Sequence, residues 1–343
     1  MLYYNKLLYY NIFMKKTLTI ISTIILTLLT TNSIAKAEIK VVASIKPIHS
    51  LVSYVMDGVG KPDVIVDGYN SPHNFSLKPS HAKMIEKANL IIWVGEDLET
   101  FLEKSLKNIS KDTVNVEIMD LEGIKKLKFR EKNIFESHDD HGHGHKEHKE
   151  HGHDEHKEHG HKEKKHDDHG HERHAHGDHD PHVWLDPMNA KIIVKEIENQ
   201  LVNLDPDNSS KYKANSKKAQ SELDNLTKNI KKDLKKDLRF VVFHDAYQYF
   251  ENRFGIKVLG ALTVNPDVLP GAEQLSEIRE VIEHEKVNCL FSEPQFNPAI
   301  IKSIAKDTKI KTGVLDPLGA TIDKGKGMYT QLLSNIYVAF KGC

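Results

Sequence analysis

Short apolar runs rich in Val and Ile alternate with amphipathic stretches of helical period along most of this chain. Strands are predicted at 39–45, 63–67, 89–94 and 114–118. Between them a helix opens at Pro47, whose fixed φ suits a first turn; a second runs from Ser80, a capping residue, to about 88; and 98–109 is amphipathic. A helical period returns over 188–201, and 206–238 reads as one long, Lys-rich, mostly polar helix. A helix with so little apolar face usually bridges two domains. The alternation then resumes, with strands at 239–243, 257–262, 288–292 and 310–315 and helices to about 254, over 270–285, from Pro298, and to Phe340. Strands alternating with helices predict an α/β fold with parallel sheets, here two lobes, each with a small parallel sheet flanked by helices, joined by a long rigid helix.

The first 37 residues do not fit that pattern. Met14-Lys15-Lys16 is a short basic region, 18–29 is a Leu/Ile/Thr run, and Ala35-Lys36-Ala37 is a small-residue cleavage pattern, so 1–37 reads as an export signal and Glu38 as the mature start. The apolar run is roughly a dozen residues, against about 20 needed to span a bilayer. Met14 has the better basic region behind it and is an alternative true start. The organisation is then an N-terminal lobe over 38–205, a connecting helix over 206–238 and a C-terminal lobe over 239–343.

A second departure from the pattern lies inside the first lobe. Between residues 138 and 179 stand sixteen histidines in forty-two residues, spaced by Gly, Lys, Asp and Glu, with Ala175 the one aliphatic side chain. They are His138, His141, His143, His145, His148, His151, His153, His156, His159, His161, His166, His169, His171, His174, His176 and His179. With nothing to bury, such a segment is expected to be disordered. Imidazole keeps a lone pair at neutral pH and suits Zn, Cu and Ni, so the segment reads as an auxiliary metal-binding loop. A spacer of drifted composition is the alternative.

Charge and cysteine content narrow the function. Lys plus Arg number 48 and Asp plus Glu 49, which leaves no net basic field for nucleic acid or an anionic membrane surface. The two cysteines, Cys289 and Cys343, both lie in the exported part, where an oxidising compartment lets them pair; two unpaired thiols are the other reading. Four polar residues fall just beyond the carboxyl end of a predicted strand or in the loop it enters: His73, His182, His244 and Asp316. Ligands of open α/β sheets bind at that end, so two facing lobes bring the four together, and three imidazoles with one carboxylate complete a tetrahedral zinc site. Taken singly, each is as well explained by packing or turn chemistry.

At this point the residues carry a resemblance. The segment from Asn70 through Ser71-Pro72-His73-Asn74-Phe75 to Ser80, the His182-Val183-Trp184-Leu185-Asp186-Pro187 block, Phe243-His244-Asp245-Ala246-Tyr247 ending in Tyr249-Phe250, the turn Glu293-Pro294-Gln295-Phe296 and Asp316-Pro317-Leu318-Gly319 are similar to the periplasmic zinc-binding component of bacterial ABC importers, the cluster 9 (A-I) solute-binding proteins. The resemblance implies two lobes, a rigid connecting helix, and Zn2+ held in the cleft by His73, His182 and His244, with Asp316 or a water as the fourth ligand. It also implies a non-enzymatic receptor, expected as a monomer, that delivers metal to an inner-membrane permease with its cytoplasmic ATPase. Pro72 stands where some zinc members have an acidic residue, so that auxiliary carboxylate is absent. Manganese members typically have Glu where this chain has His244, and a third imidazole moves the preference toward zinc. A bridge between Cys289 and Cys343 is implied only loosely, since relatives place the second cysteine nearer Phe340. The alternatives are a manganese-binding homologue, a periplasmic zinc buffer or adhesin working through its loop, and a zinc hydrolase, for which no His-Glu-x-x-His helix is present.

Overall fold

In β1 (Val41–Ile45) every side chain is buried, as are all four of β3 (Leu90–Trp93), which is what a central parallel strand covered on both faces requires. The computed structural model describes residues 38–108, 112–130, 132–135, 178–235, 238–264, 266, 268 and 270–343, together with Tyr10 and residues 13–17. The expected export signal falls almost wholly outside the described residues, and so does the histidine-rich segment except for His179. Among the described residues no helix is long and apolar enough to cross a membrane.

The first sheet has the order β2-β1-β3-β4, with β2 at Asp63–Val66 and β4 at Val114–Glu117, all pairs parallel. The second repeats it as β6-β5-β7-β8, with β5 at Arg239–His244, β6 at Lys257–Thr263, β7 at Cys289–Ser292 and β8 at Lys311–Val314. All eight strands agree with the hydrophobic pattern to within two residues. In each sheet the order reverses at the central pair, which opens a crevice at the carboxyl ends of those strands.

Helices cover the sheets: α1 (Lys46–Val55), α2 (Pro79–Glu86), α3 (Thr100–Leu106) and α4 (Pro187–Leu204) in the first half, and α6 (Gln248–Phe254), α7 (Ala272–His284), α8 (Ala299–Thr308) and α9 (Met328–Gly342) in the second. Between them runs α5 (Ser209–Asp233). The helix expected over 206–238 is thus shorter. Residues 206–208 form a separate 3-10 turn, and Leu234 leaves the helix with extended backbone at ψ 123°. Its polarity also conceals a seam: Tyr212, Ser216, Ala219, Leu223 and Ile230 recur at three- and four-residue spacing and are buried, so the helix packs along α4 and touches α1 and α9.

Strand β5 shows why the second sheet has two cores. Phe240 and Val242 point into the large core shared with Phe291 and Phe340, while Val241 and Phe243 point to a smaller core with Ile278 of α7 and Ile301 and Ile304 of α8. That is the two-residue period of a strand buried on both faces. The Phe240 and Phe340 rings lie 4.7 Å apart, and just beyond them Cys289 and Cys343 form a disulfide with Cα atoms 5.8 Å apart, pinning α9 to β7.

One strand-like pairing was not legible in the pattern. Residues 133–135, in the first half of the chain, run antiparallel along the edge of β6: Phe135 N–H donates to Leu259 O (2.8 Å) and Ala261 N–H to Asn133 O (2.9 Å). Gly260 is required there, since a Cβ would stand 2.7 Å from the Asn133 carbonyl oxygen.

Candidate metal centre

Three separate pieces of local structure bring the candidate histidines together. His73 lies in the loop between β2 and α2, half-buried, with its N–H donating to Ser71 Oγ (3.3 Å). His182 opens the 3-10 turn Val183–Leu185, which the N-cap Asp186 and Pro187 convert into α4; the Asp186 carboxylate accepts from Met188 N–H (2.8 Å). His244 is the last residue of β5, at the crevice where the strand order reverses. One ligand atom from each of the three lies within 4.8 Å of the other two.

The ring nitrogens are oriented from behind. His182 Nδ1 meets Asp180 Oδ1 at 2.7 Å, and His244 Nδ1 meets both Glu293 oxygens at 2.8 and 2.9 Å. Carboxylates accept, so each Nδ1 carries a hydrogen, and in the neutral ring that a metal requires each Nε2 offers its lone pair. The two Nε2 atoms then face each other at 3.3 Å. Two lone pairs do not bond, but bonds of about 2.0–2.1 Å at the tetrahedral angle place ligand nitrogens roughly 3.3–3.4 Å apart, so a zinc-sized cation satisfies both at once.

Both carboxylates are themselves fixed. Glu293 follows β7, and the register that pairs Phe240 with Cys289 carries His244 opposite Glu293 four residues further along both strands. Tyr247, whose phenol burial and the Glu293 charge hold well above its ordinary range, donates to Glu293 Oε1 (3.1 Å). Asp180 accepts from the His182 N–H (2.9 Å), its own N–H donates to Leu127 O (2.8 Å), and its carbonyl accepts from Tyr249 OH (2.7 Å). Burial pushes the Asp180 carboxyl up to about 7. Behind it Arg130 pairs with Asp245 and Glu251 (both 2.9 Å) and stacks on Phe135. Of the residues gathered here, the hydrophobic pattern nominated the three histidines that cluster but not Asp180 and Glu293. The available signals were the Asp two positions before His182 and the Glu at the end of β7.

Asp316 is placed differently from the three histidines. Its Oδ1 accepts from Gln295 Nε2 (3.0 Å) and Leu318 N–H (3.2 Å), its Oδ2 accepts from Thr321 N–H (3.5 Å), and it is not part of the histidine cluster. The cavity among the rings has a volume of ≈ 10 Å³ and is lined by Ser71, Trp184, Gln295, Phe296 and Leu318 besides the histidines. His179 lies apart, paired with Lys128 in an antiparallel bridge, and the other fifteen histidines of its segment are outside the described residues.

Because ligand orientation rests on Asp180 and Glu293, Asp180→Asn and Glu293→Gln are each expected to weaken zinc binding by about 10- to 100-fold while the fold persists. Chelator competition with parallel thermal melts checks this; unchanged affinity in either variant removes that residue from the support of the site.

Residues 41–343 match the family described as "ZnuA: Zinc-uptake complex component A periplasmic". The chain is 46% identical over 314 residues to the high-affinity zinc uptake system protein ZnuA of Brucella abortus, covering 91% of this chain and 93% of that one. It is 40% identical over 353 residues to the protein of the same description from Haemophilus influenzae, covering 96% and 99%. Among solved structures, a crystal structure of ZnuA superimposes with a TM-score of 0.67 at 20% identity, covering 89% of this chain and 100% of that one, which is a likeness of fold.

Proposed function

This chain belongs to the ZnuA family of periplasmic zinc-uptake components, and we propose that it is the receptor that captures Zn2+ outside the inner membrane and delivers it to an ABC permease driven by a cytoplasmic ATPase. The observation that carries this reading is the convergence of three imidazole nitrogens, two of them backed by carboxylates, in a cavity of ≈ 10 Å³. Capture rather than hydrolysis is the task on this reading, as the description of the zinc-uptake relatives suggests. The ligands are His73, His182 and His244. Residues 1–37 act as the cleavable export signal, residues 138–179 as an auxiliary metal-collecting segment, and the receptor works as a monomer. Three imidazoles favour zinc over manganese, whose preference is for oxygen ligands.

Metal analysis of the mature chain with and without residues 138–177, combined with growth of a receptor-deleted strain in zinc-limited medium, tests the reading. A receptor keeps one tight zinc site after the deletion and restores growth. A buffer or adhesin that works through the segment loses nearly all its capacity and restores nothing.

The pH response follows from the two buried rings. Burial and then the neighbouring His244 hold His182 well below the ordinary imidazole range, so it enters binding already neutral. At His244 burial opposes the charge, but the Glu293 carboxylate outweighs it and the ring stays above its ordinary value. Zinc therefore has to displace one proton from this pair. Between pH 7.5 and 6.5 affinity at the cleft is expected to fall by up to about tenfold, the slope of a single competing proton. The histidine-rich segment, whose sites need several imidazoles each, loses metal more steeply. Chelator competition across that pH range decides; an affinity at the cleft that does not change with pH contradicts the prediction.

A further inference from the structure

We propose that Gln295 holds the fourth ligand of the captured ion, a water molecule, and that Asp316 acts on the ion only through Gln295. The proposal rests on the three-histidine reading above. Gln295 lines the cavity with the histidines, and its Oε1 is a buried acceptor with no hydrogen-bond partner. Its Nε2 donates to Asp316 Oδ1 at 3.0 Å. This contact settles which way the amide points. The Asp316 carboxylate takes backbone N–H groups of Leu318 and Thr321 on its two oxygens, so it is an acceptor, and an amide oxygen turned toward it would face another acceptor. The nitrogen must face Asp316, and Oε1 is left as the unmatched acceptor.

Asp316 is not free to replace the water. The loop that follows it is held from the other lobe: Lys46, buried on α1, donates to the carbonyls of Gly319 (2.6 Å) and Ile322 (2.6 Å), and Trp184 Nε1 donates to Pro317 O (2.8 Å). Swinging the carboxylate onto the ion would strip its three donors and pull on that anchored loop. A water on the ion, in contrast, carries hydrogens made more acidic by the metal and can donate one to the unmatched Oε1 while Asp316 keeps its donors. Charge points the same way. Asp180 and Glu293 already place two carboxylates behind the ligands of a doubly charged cation, so a neutral fourth ligand balances the site and a third carboxylate overcharges it.

The test is zinc affinity of the full mature chain by chelator competition, with free zinc buffered so that one ion binds per chain. Four proteins are compared with the wild type: Gln295→Met, which keeps the side chain's length and loses the strong acceptor; Asp316→Asn; the double variant; and His73→Ala. The expected result is a loss of about tenfold for Gln295→Met, a smaller loss for Asp316→Asn, and a double variant within about twofold of Gln295→Met, because the two residues act in series. Co2+ bound in place of zinc keeps a four-coordinate absorption spectrum in Gln295→Met, Asp316→Asn and the double variant. Wild-type affinity in Gln295→Met overturns the role of Gln295. A full, additive loss from Asp316→Asn in the Gln295→Met background overturns the series and makes Asp316 a direct ligand. Unchanged affinity in His73→Ala sinks the three-histidine site itself, a separate failure. Should Gln295→Met lower the melting temperature of the metal-free chain, Gln295→Ser takes its place, with the same outcomes read.

Discussion

Alanine in place of His182 or His244 is expected to lower zinc affinity by about two orders of magnitude, and alanine in place of His73 by at least about tenfold. Zinc held by four protein groups gains roughly 10–16 kcal/mol, or about 3 kcal/mol per ligand, which is about a hundredfold. His182 and His244 are buried and carboxylate-backed, so removing either ring also deprives the buried Asp180 or Glu293 carboxylate of its imidazole donor. The half-buried His73 is reached by solvent, and a second water can take its place on the ion. Chelator competition on a chain lacking residues 138–177 measures all three, and near-wild-type binding in any one removes that residue from the site.

Removing the disulfide, by Cys343→Ser with Cys289→Ser, is expected to cost on the order of 4 kcal/mol of stability. The bridge closes a loop of 54 residues in sequence separation, and tethering a chain of that length restricts the unfolded ensemble by about that amount in the loop-entropy account. The consequence extends to the metal site. Cys289 starts β7, Glu293 follows its end and orients His244, while α9 carries Tyr329, whose hydroxyl donates to the Trp184 carbonyl (2.6 Å) beside His182. Urea unfolding of oxidised and double-serine chains gives the difference, and thiol labelling of denatured, unreduced protein verifies the starting state. A change below about 1 kcal/mol would show that the core around Phe240, Phe291 and Phe340 alone holds the terminal helix.

The cluster of three histidines was legible because each of them sits at a boundary that the hydrophobic pattern marks. His73 follows one strand's apolar run, His244 ends another, and His182 precedes a capped helix start, so local periodicity and the strand-end rule suffice to nominate all three. The same reading nominated Asp316 on equal terms, and only the folded loop turns its carboxylate toward Gln295 and two backbone donors. The Leu318 donor is local turn chemistry, whereas the Gln295 contact comes from 21 residues away and has no local signal.

What the sequence by itself determined is therefore the set of eight strands, the two-lobed α/β plan and the chemical class of the cargo, all of which follow from residue type and period. Tertiary structure decided the rest. The orientation of the rings depends on parallel register, since His244 and Glu293 meet only because Phe240 pairs with Cys289, residues 49 apart. The edge pairing of residues 133–135 with β6 depends on a backbone approach that Gly260 allows. The seam of α5 shows the same division: its charged residues predicted a solvated bridge, and the contacts of Tyr212, Ala219 and Leu223 made it a packed element. Period is a property of neighbours in the chain, whereas register, close approach and charge balance are properties of segments that meet only after folding.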